Sequence, residues 1–178
     1  MQWIQAIEES EDVLWLYGPA GAGKSAIAQT IAEKCAKLRL LIASFIFSRA
    51  SQSRNNEKWL IASIAYQLAI SIPATRSYIE SAVQIDPAIF DKSLETQIET
   101  LVICTLESAC AHVDQADAKQ WPRLIIIDGL DKCDGTASLR FNALLFVYSQ
   151  QLFNASHFHL SFSSSAVLSH TSEMLSTF

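Results

Sequence analysis

A chain of 178 residues has the length of one domain. Half of it is apolar and 17% is charged, so it buries a sizeable core and is not of the disordered class. The formal net charge is −5 with no long basic run, which gives a nucleic-acid partner no electrostatic footing; no apolar run reaches the length of a membrane span, so no membrane partner is expected either.

Residues 1–12 read as an amino-terminal helix and linker. Trp3, Ile4 and Ile7 share one helical face, and Glu8 and Glu9 stand where a secretory signal would carry bases. The location expected from this is the cytoplasm. Val13–Tyr17 then reads as a buried strand. It leads into Gly18-Pro19-Ala20-Gly21-Ala22-Gly23-Lys24-Ser25, which satisfies the phosphate-loop pattern G-x-x-x-x-G-K-[ST] at every specified position. The glycines let successive backbone N–H groups converge on one concave spot, and the helix that follows adds its amino-terminal N–H groups. Lys24 is expected to reach the β- and γ-phosphates, and the Ser25 hydroxyl to ligate Mg²⁺. A glycine-rich turn that merely contains a lysine is the bland alternative; the flanking strand and helix count against it.

The helix after the loop runs to about Lys37. Leu40–Phe47 is almost wholly apolar, as a strand covered on both faces should be. Ser48–Asn56 is polar loop. Glu57–Ser71 reads as helix with Trp59, Leu60, Ile64, Leu68 and Ala69 at helical spacing, and Pro73 ends it. A shorter helix covers Ala74–Ile85. Another runs from Leu94 to Val113, with Leu94, Ile98, Leu101, Val102, Thr105 and Leu106 on one stripe. Ala137–Gln151 reads as helix and Phe158–Phe162 as a short strand leading into Ser163-Ser164-Ser165. Strands alternating with helices predict an α/β fold on a mainly parallel sheet.

Leu124-Ile125-Ile126-Ile127-Asp128 is an apolar strand that ends in an acid. Such a strand is common by itself. About 100 residues after a phosphate loop it reads as the second nucleotide motif, with Asp128 holding Mg²⁺ directly or through water. A helix-cap or turn role is the structural alternative for Asp128. Cys35, Cys104, Cys110 and Cys133 have no metal-ligand spacing and read as buried free thiols, and His112, His157, His159 and His170 show no metal pattern. Asp86, Asp91, Glu95 and Glu99 read as a solvated face.

With both motifs located, Leu14–Ala28 resembles the start of a fungal NACHT nucleotide-binding domain, also described as nephrocystin 3-like N-terminal. Ala43–Arg49, Ile64–Ala69 and Leu124–Cys133 resemble that family's second strand, following helix and acidic motif. The resemblance spans essentially the whole chain. It implies a NACHT-type domain over 13–178, built as a P-loop NTPase three-layer sandwich. It also implies a signal-transducing switch of the STAND class that holds ADP at rest and ATP when active. Asp131 is then the candidate catalytic base for the attacking water. Related NACHT proteins are the expected partners, in homo- or hetero-oligomers.

Three departures qualify that picture. The family reads Asp-Gly-Leu-Asp-Glu-Cys where this chain has Lys132. A lysine there either depresses the basicity of Asp131 or is a solvated surface residue. The family's Ser-Ser-Arg, whose arginine senses the γ-phosphate, is here Ser163-Ser164-Ser165; Arg49 and Arg54 are the substitutes in sequence, but the resemblance places them beyond the far sheet edge. The family's last strand lies beside the phosphate-loop strand, and little sequence follows Ser165 to supply it. The expectation is a truncated relative with one bare sheet edge. Three functions follow: a nucleotide-binding switch module with slow or absent hydrolysis, an active ATPase or phosphoryl-transfer enzyme using Asp131 and Lys24, and a non-enzymatic interaction fragment. A GTPase is disfavoured because no Asn-Lys-x-Asp element is present to read guanine.

Overall fold

A computed structural model describes residues 13–16, 18–51, 54–132 and 159–163. The helices expected over 1–12 and 137–151 lie outside these residues. The elements, in order, are β1 (Val13–Leu16), α1 (Lys24–Lys37), β2 (Leu41–Ile46), α2 (Leu60–Ser71), α3 (Arg76–Ile85), α4 (Leu94–Ile98), α5 (Cys104–Ala111), α6 (Gln115–Ala118), β3 (Leu124–Asp128) and β4 (His159–Ser163). The strands form one sheet in the order β1-β4-β3-β2, and every pairing is parallel. This is the α/β class that the alternation of elements predicts.

Strand β3 shows why its sequence is apolar throughout. All of its residues are buried. Successive side chains of a strand face opposite ways, so each face needs its own cover. Leu124 and Ile126 pack against Ala28, Ala32 and Cys35 of α1. Ile125 and Ile127 face the other way, into a larger cluster with Phe45, Ile61, Ile64 and Leu68. Small residues on α1 let that helix lie close to the sheet. Large aliphatic residues on α2 fill the opposite face, and each such side chain contributes about 1.5–3 kcal/mol when fully buried.

The register sets the location of the site. Leu16 pairs with Ser163, Ser163 with Asp128, and Asp128 with Ile46. The carboxyl ends of all four strands therefore stand in one row. The loop leaving β1 emerges at the same end of the sheet as the acid that ends β3, with β4 between them.

Strand β2 is one end of the sheet order, and α2 covers its outer edge with side chains. Gln67 accepts from the Ser44 N–H at 3.0 Å and donates to the Ser44 carbonyl at 3.0 Å. Ser71 donates to the Ile42 carbonyl at 2.7 Å. These bonds satisfy backbone groups that would otherwise invite another strand to pair. Strand β1, at the other end of the order, pairs among the described residues with β4.

The helices differ from the expected pattern in detail. Glu57–Trp59 is a 3₁₀ turn capped by the Asn56 side chain, and α2 begins only at Leu60. The tighter turn rotates Trp59 off the buried stripe, leaving it 48% exposed. The single helix expected over Leu94–Val113 ends at Ala111 and is broken by a π turn at Glu99–Ile103. The wider turn brings Ile103 into the core beside Leu101 and Val102, which a constant 3.6-residue period does not anticipate.

The cysteine expectation needs correcting. Cys35 is buried, whereas Cys104 is exposed and Cys110 half-buried; none of the three is in a disulfide. Partial burial, followed by the Glu99 and Glu107 carboxylates, pushes the Cys104 thiol up from its ordinary value, which disfavours the thiolate. The acidic face is solvated as expected at Asp91, Glu95 and Glu99, which are exposed, while Asp86 is half-buried; Asp86 pairs with Lys92, and Asp91 with Lys58, at the surface.

Replacing Gln67 by leucine leaves the Ser44 backbone groups without their partners. Its expected effect is a loss of about 2 kcal/mol in unfolding free energy, read from urea denaturation. An unchanged midpoint would show that the edge of β2 needs no cover.

Candidate functional site

The loop from Gly18 to Gly23 is shaped by its glycines at particular points. Gly21 and Gly23 have φ of 82° and 80°, in the left-handed region that side chains rarely adopt. A Cβ placed on either would meet nothing within 4 Å, so both backbones border open space. The Ala22 N–H donates to the Pro19 carbonyl, closing the loop into a turn, and α1 starts directly after Gly23. No side chain caps the amino end of α1, and no acidic residue lies in its first turn. The positive end of the helix dipole is therefore left uncompensated by its own sequence.

Lys24 is buried, with 7% of its surface exposed. Its ammonium donates to the Gly18 carbonyl at 2.6 Å and to the Pro19 carbonyl at 2.7 Å. The side chain thus folds back along its own loop, and an ammonium has more donors than these two carbonyls take up. Ser25, next in sequence, is exposed.

Asp128 ends β3 with 2% of its surface exposed, and its Oδ2 atom has no hydrogen-bond partner. A buried carboxylate oxygen without a donor is destabilising, since it has lost water and gained nothing in return. Backbone contacts fix its position. The Asp128 carbonyl accepts from the Phe47 N–H at 2.9 Å, tying the exits of β2 and β3 together. Gly129 follows with φ of 75°, and a Cβ there would come within 3.1 Å of both the Phe47 carbonyl and the Lys132 side chain. Only glycine lets the chain turn this tightly against β2. The 3₁₀ turn Leu130–Lys132 comes next, with Leu130 buried.

That turn carries Lys132 back across the site. Its Nζ donates to the Ser25 Oγ at 3.4 Å, joining residues 107 apart in sequence. Lys132 is half-buried, which sets aside the purely solvated reading. Asp131 lies in the same turn, and its side chain falls outside the described residues. The same holds for Ser164, Ser165 and Cys133. Arg49 and Arg54 follow β2, the strand at the opposite end of the sheet order from β1, and both are exposed. Among the described residues no cluster of three metal-ligating side chains of the histidine, cysteine or carboxylate type occurs, and no helix is long and apolar enough to cross a membrane.

The fold therefore brings Lys24, Ser25, Asp128 and Lys132 to one end of the sheet. The contact between Lys132 and Ser25 is the feature that sequence reasoning missed. Nothing local signals it, because it depends on the register that aligns β1, β4 and β3. The close approach at Gly129 was equally silent, although a glycine directly after a buried strand-end acid is a usable sign of a tight exit.

Residues 1–165 match the family described as nephrocystin 3, N-terminal. The chain belongs to that family. The match takes in the loop of residues 18–25 and the turn containing Lys132, so the nephrocystin 3 N-terminal module includes every residue of the site just described. This is the NACHT-like family that the two motifs resemble. No curated protein matches the chain.

The unpartnered oxygen of Asp128 makes a measurable claim about stability. Substituting asparagine removes the buried charge at nearly constant shape. The expected result is a rise in Tm of roughly 2–5 °C by calorimetry. A fall in Tm would mean that the carboxylate is needed by the fold itself.

Proposed function

We propose that this nephrocystin 3 N-terminal module binds a nucleoside di- or triphosphate, ATP or ADP, as the nucleotide-binding unit of a signalling switch. The observation that carries the reading is the convergence of a glycine loop, its buried lysine and a buried, unpartnered carboxylate at the carboxyl end of a parallel sheet. Ligands of open α/β sheets bind at that end. The open space above Gly21 and Gly23 has the character of a phosphate cradle, bordered by backbone and by the amino end of α1. Lys24 would turn from its carbonyls toward the terminal phosphates.

The donor set also fits Mg²⁺. The Ser25 hydroxyl and the Asp128 carboxylate are oxygen ligands of the kind this ion takes, and Asp128 Oδ2 is a buried acceptor that lacks a donor. When bound, the ion would neutralise charge on the β- and γ-phosphates. The wider architecture belongs to the same reading: a three-layer P-loop NTPase sandwich of the STAND class, close to fungal NACHT domains, with related NACHT proteins as oligomeric partners. Hydrolysis is slow or absent in this account. Asp131 stands as the base, but a lysine follows it and the Ser163–Ser165 segment holds no arginine.

Isothermal calorimetry with ATP and with ADP in excess MgCl₂ tests the reading. The wild-type chain is expected to bind, and Lys24→Ala to weaken binding by about 10- to 100-fold, the loss of one or more charge-assisted hydrogen bonds. Absence of binding, or equal affinity in the two proteins, would sink it.

A further inference from the structure

The Lys132 side chain lies against the exit of β3, with Cδ and Nζ close above Gly129, and its Nζ reaches the Ser25 hydroxyl. Ser25 is the residue that the phosphate-loop pattern assigns to the metal. The same hydroxyl therefore faces a cation supplied by the chain. Asp128, four residues earlier at the end of β3, has a buried Oδ2 without a partner. An ammonium and Mg²⁺ at the same hydroxyl repel each other and compete for the same phosphate oxygens.

We infer that Lys132 acts as a second phosphate-binding lysine that takes over part of the role of the divalent cation, so that nucleotide is held with little dependence on Mg²⁺. The inference rests on the nucleotide-binding reading above. Lys24 approaches the phosphates from the loop side, and Lys132 from the β3 side. Between them they bring two positive charges to the terminal phosphates without a metal. The position of Lys132 accounts for the arrangement: the 3₁₀ turn and the tight exit at Gly129 bring the side chain back to Ser25. An ammonium neutralises less charge than Mg²⁺ and cannot arrange phosphate oxygens in octahedral geometry. Binding without efficient phosphoryl transfer is the chemistry it supports.

The test measures the Kd for ADP by calorimetry in excess MgCl₂ and in excess EDTA, for wild type, Lys132→Ala, Lys132→Arg and Lys132→Glu. Thermal melts of each variant verify that it is folded. The wild-type Kd is expected to change by less than about threefold on chelation. Lys132→Ala should lose about tenfold or more in EDTA and much less in MgCl₂, the scale of one charge-assisted contact. Lys132→Arg should retain binding in EDTA, and Lys132→Glu should bind only with Mg²⁺. Wild-type binding that disappears in EDTA while persisting in MgCl₂ would overturn the role of Lys132 and leave the nucleotide reading standing. Lys132→Ala matching wild type in EDTA would overturn it as well. No binding in either condition would overturn both.

Discussion

A carboxylate buried at the end of a parallel sheet, with one oxygen lacking any donor, sets the terms for the rest of this molecule. Parallel strands that end in register bring every strand exit to one edge. In this chain the row Leu16, Ser163, Asp128 and Ile46 places that acid two strands from the exit of β1, with β4 between them. Helices on both faces bury β3 along its length, so the carboxylate at its end is buried as well. The glycine loop, the buried lysine and the lysine of the 3₁₀ turn lie at the same end of the sheet. An uncapped helix end pointing into the same region adds partial positive charge.

The charges of the site make few strong bonds with one another, which suits the nucleotide-binding reading proposed above. Lys24 bonds to two carbonyls of its own loop, an arrangement easily exchanged for phosphate oxygens because both kinds of partner are acceptors. Lys132 reaches a neutral hydroxyl at 3.4 Å, a weak contact for a cation. Local structure that forgoes better internal pairing in order to hold charges apart is characteristic of binding sites. By contrast, the edge of β2 is closed firmly by Gln67 and Ser71, because nothing there is meant to open.

Much of the framework was legible from the residues. The loop Gly18–Ser25 and the run Leu124–Asp128 declared themselves through local patterns, since glycine conformation and strand burial depend mainly on near neighbours and on a uniform apolar run. The strand at His159–Ser163 was found within a residue by its alternation. What the sequence concealed were consequences of tertiary placement. The π turn at Glu99–Ile103 changes the helical period, which pattern matching assumes constant. Exposure of Cys104 follows from which side of that turn faces the core. Lys132 was seen only as a departure beside Asp131; its reach to Ser25 requires knowing that β4 lies between β1 and β3.

The central claim is that the loop of β1 and the exit of β3 form one phosphate-binding site. The most direct test is a titration of the isotopically labelled full chain with ADP, followed by backbone amide chemical shifts. The account predicts saturable shifts concentrated at Gly21–Ser25 and at Asp128–Lys132, moving together with a single Kd. Shifts confined to other surfaces, such as the α2 face around Tyr66 and Ile70, or none at all, would contradict it.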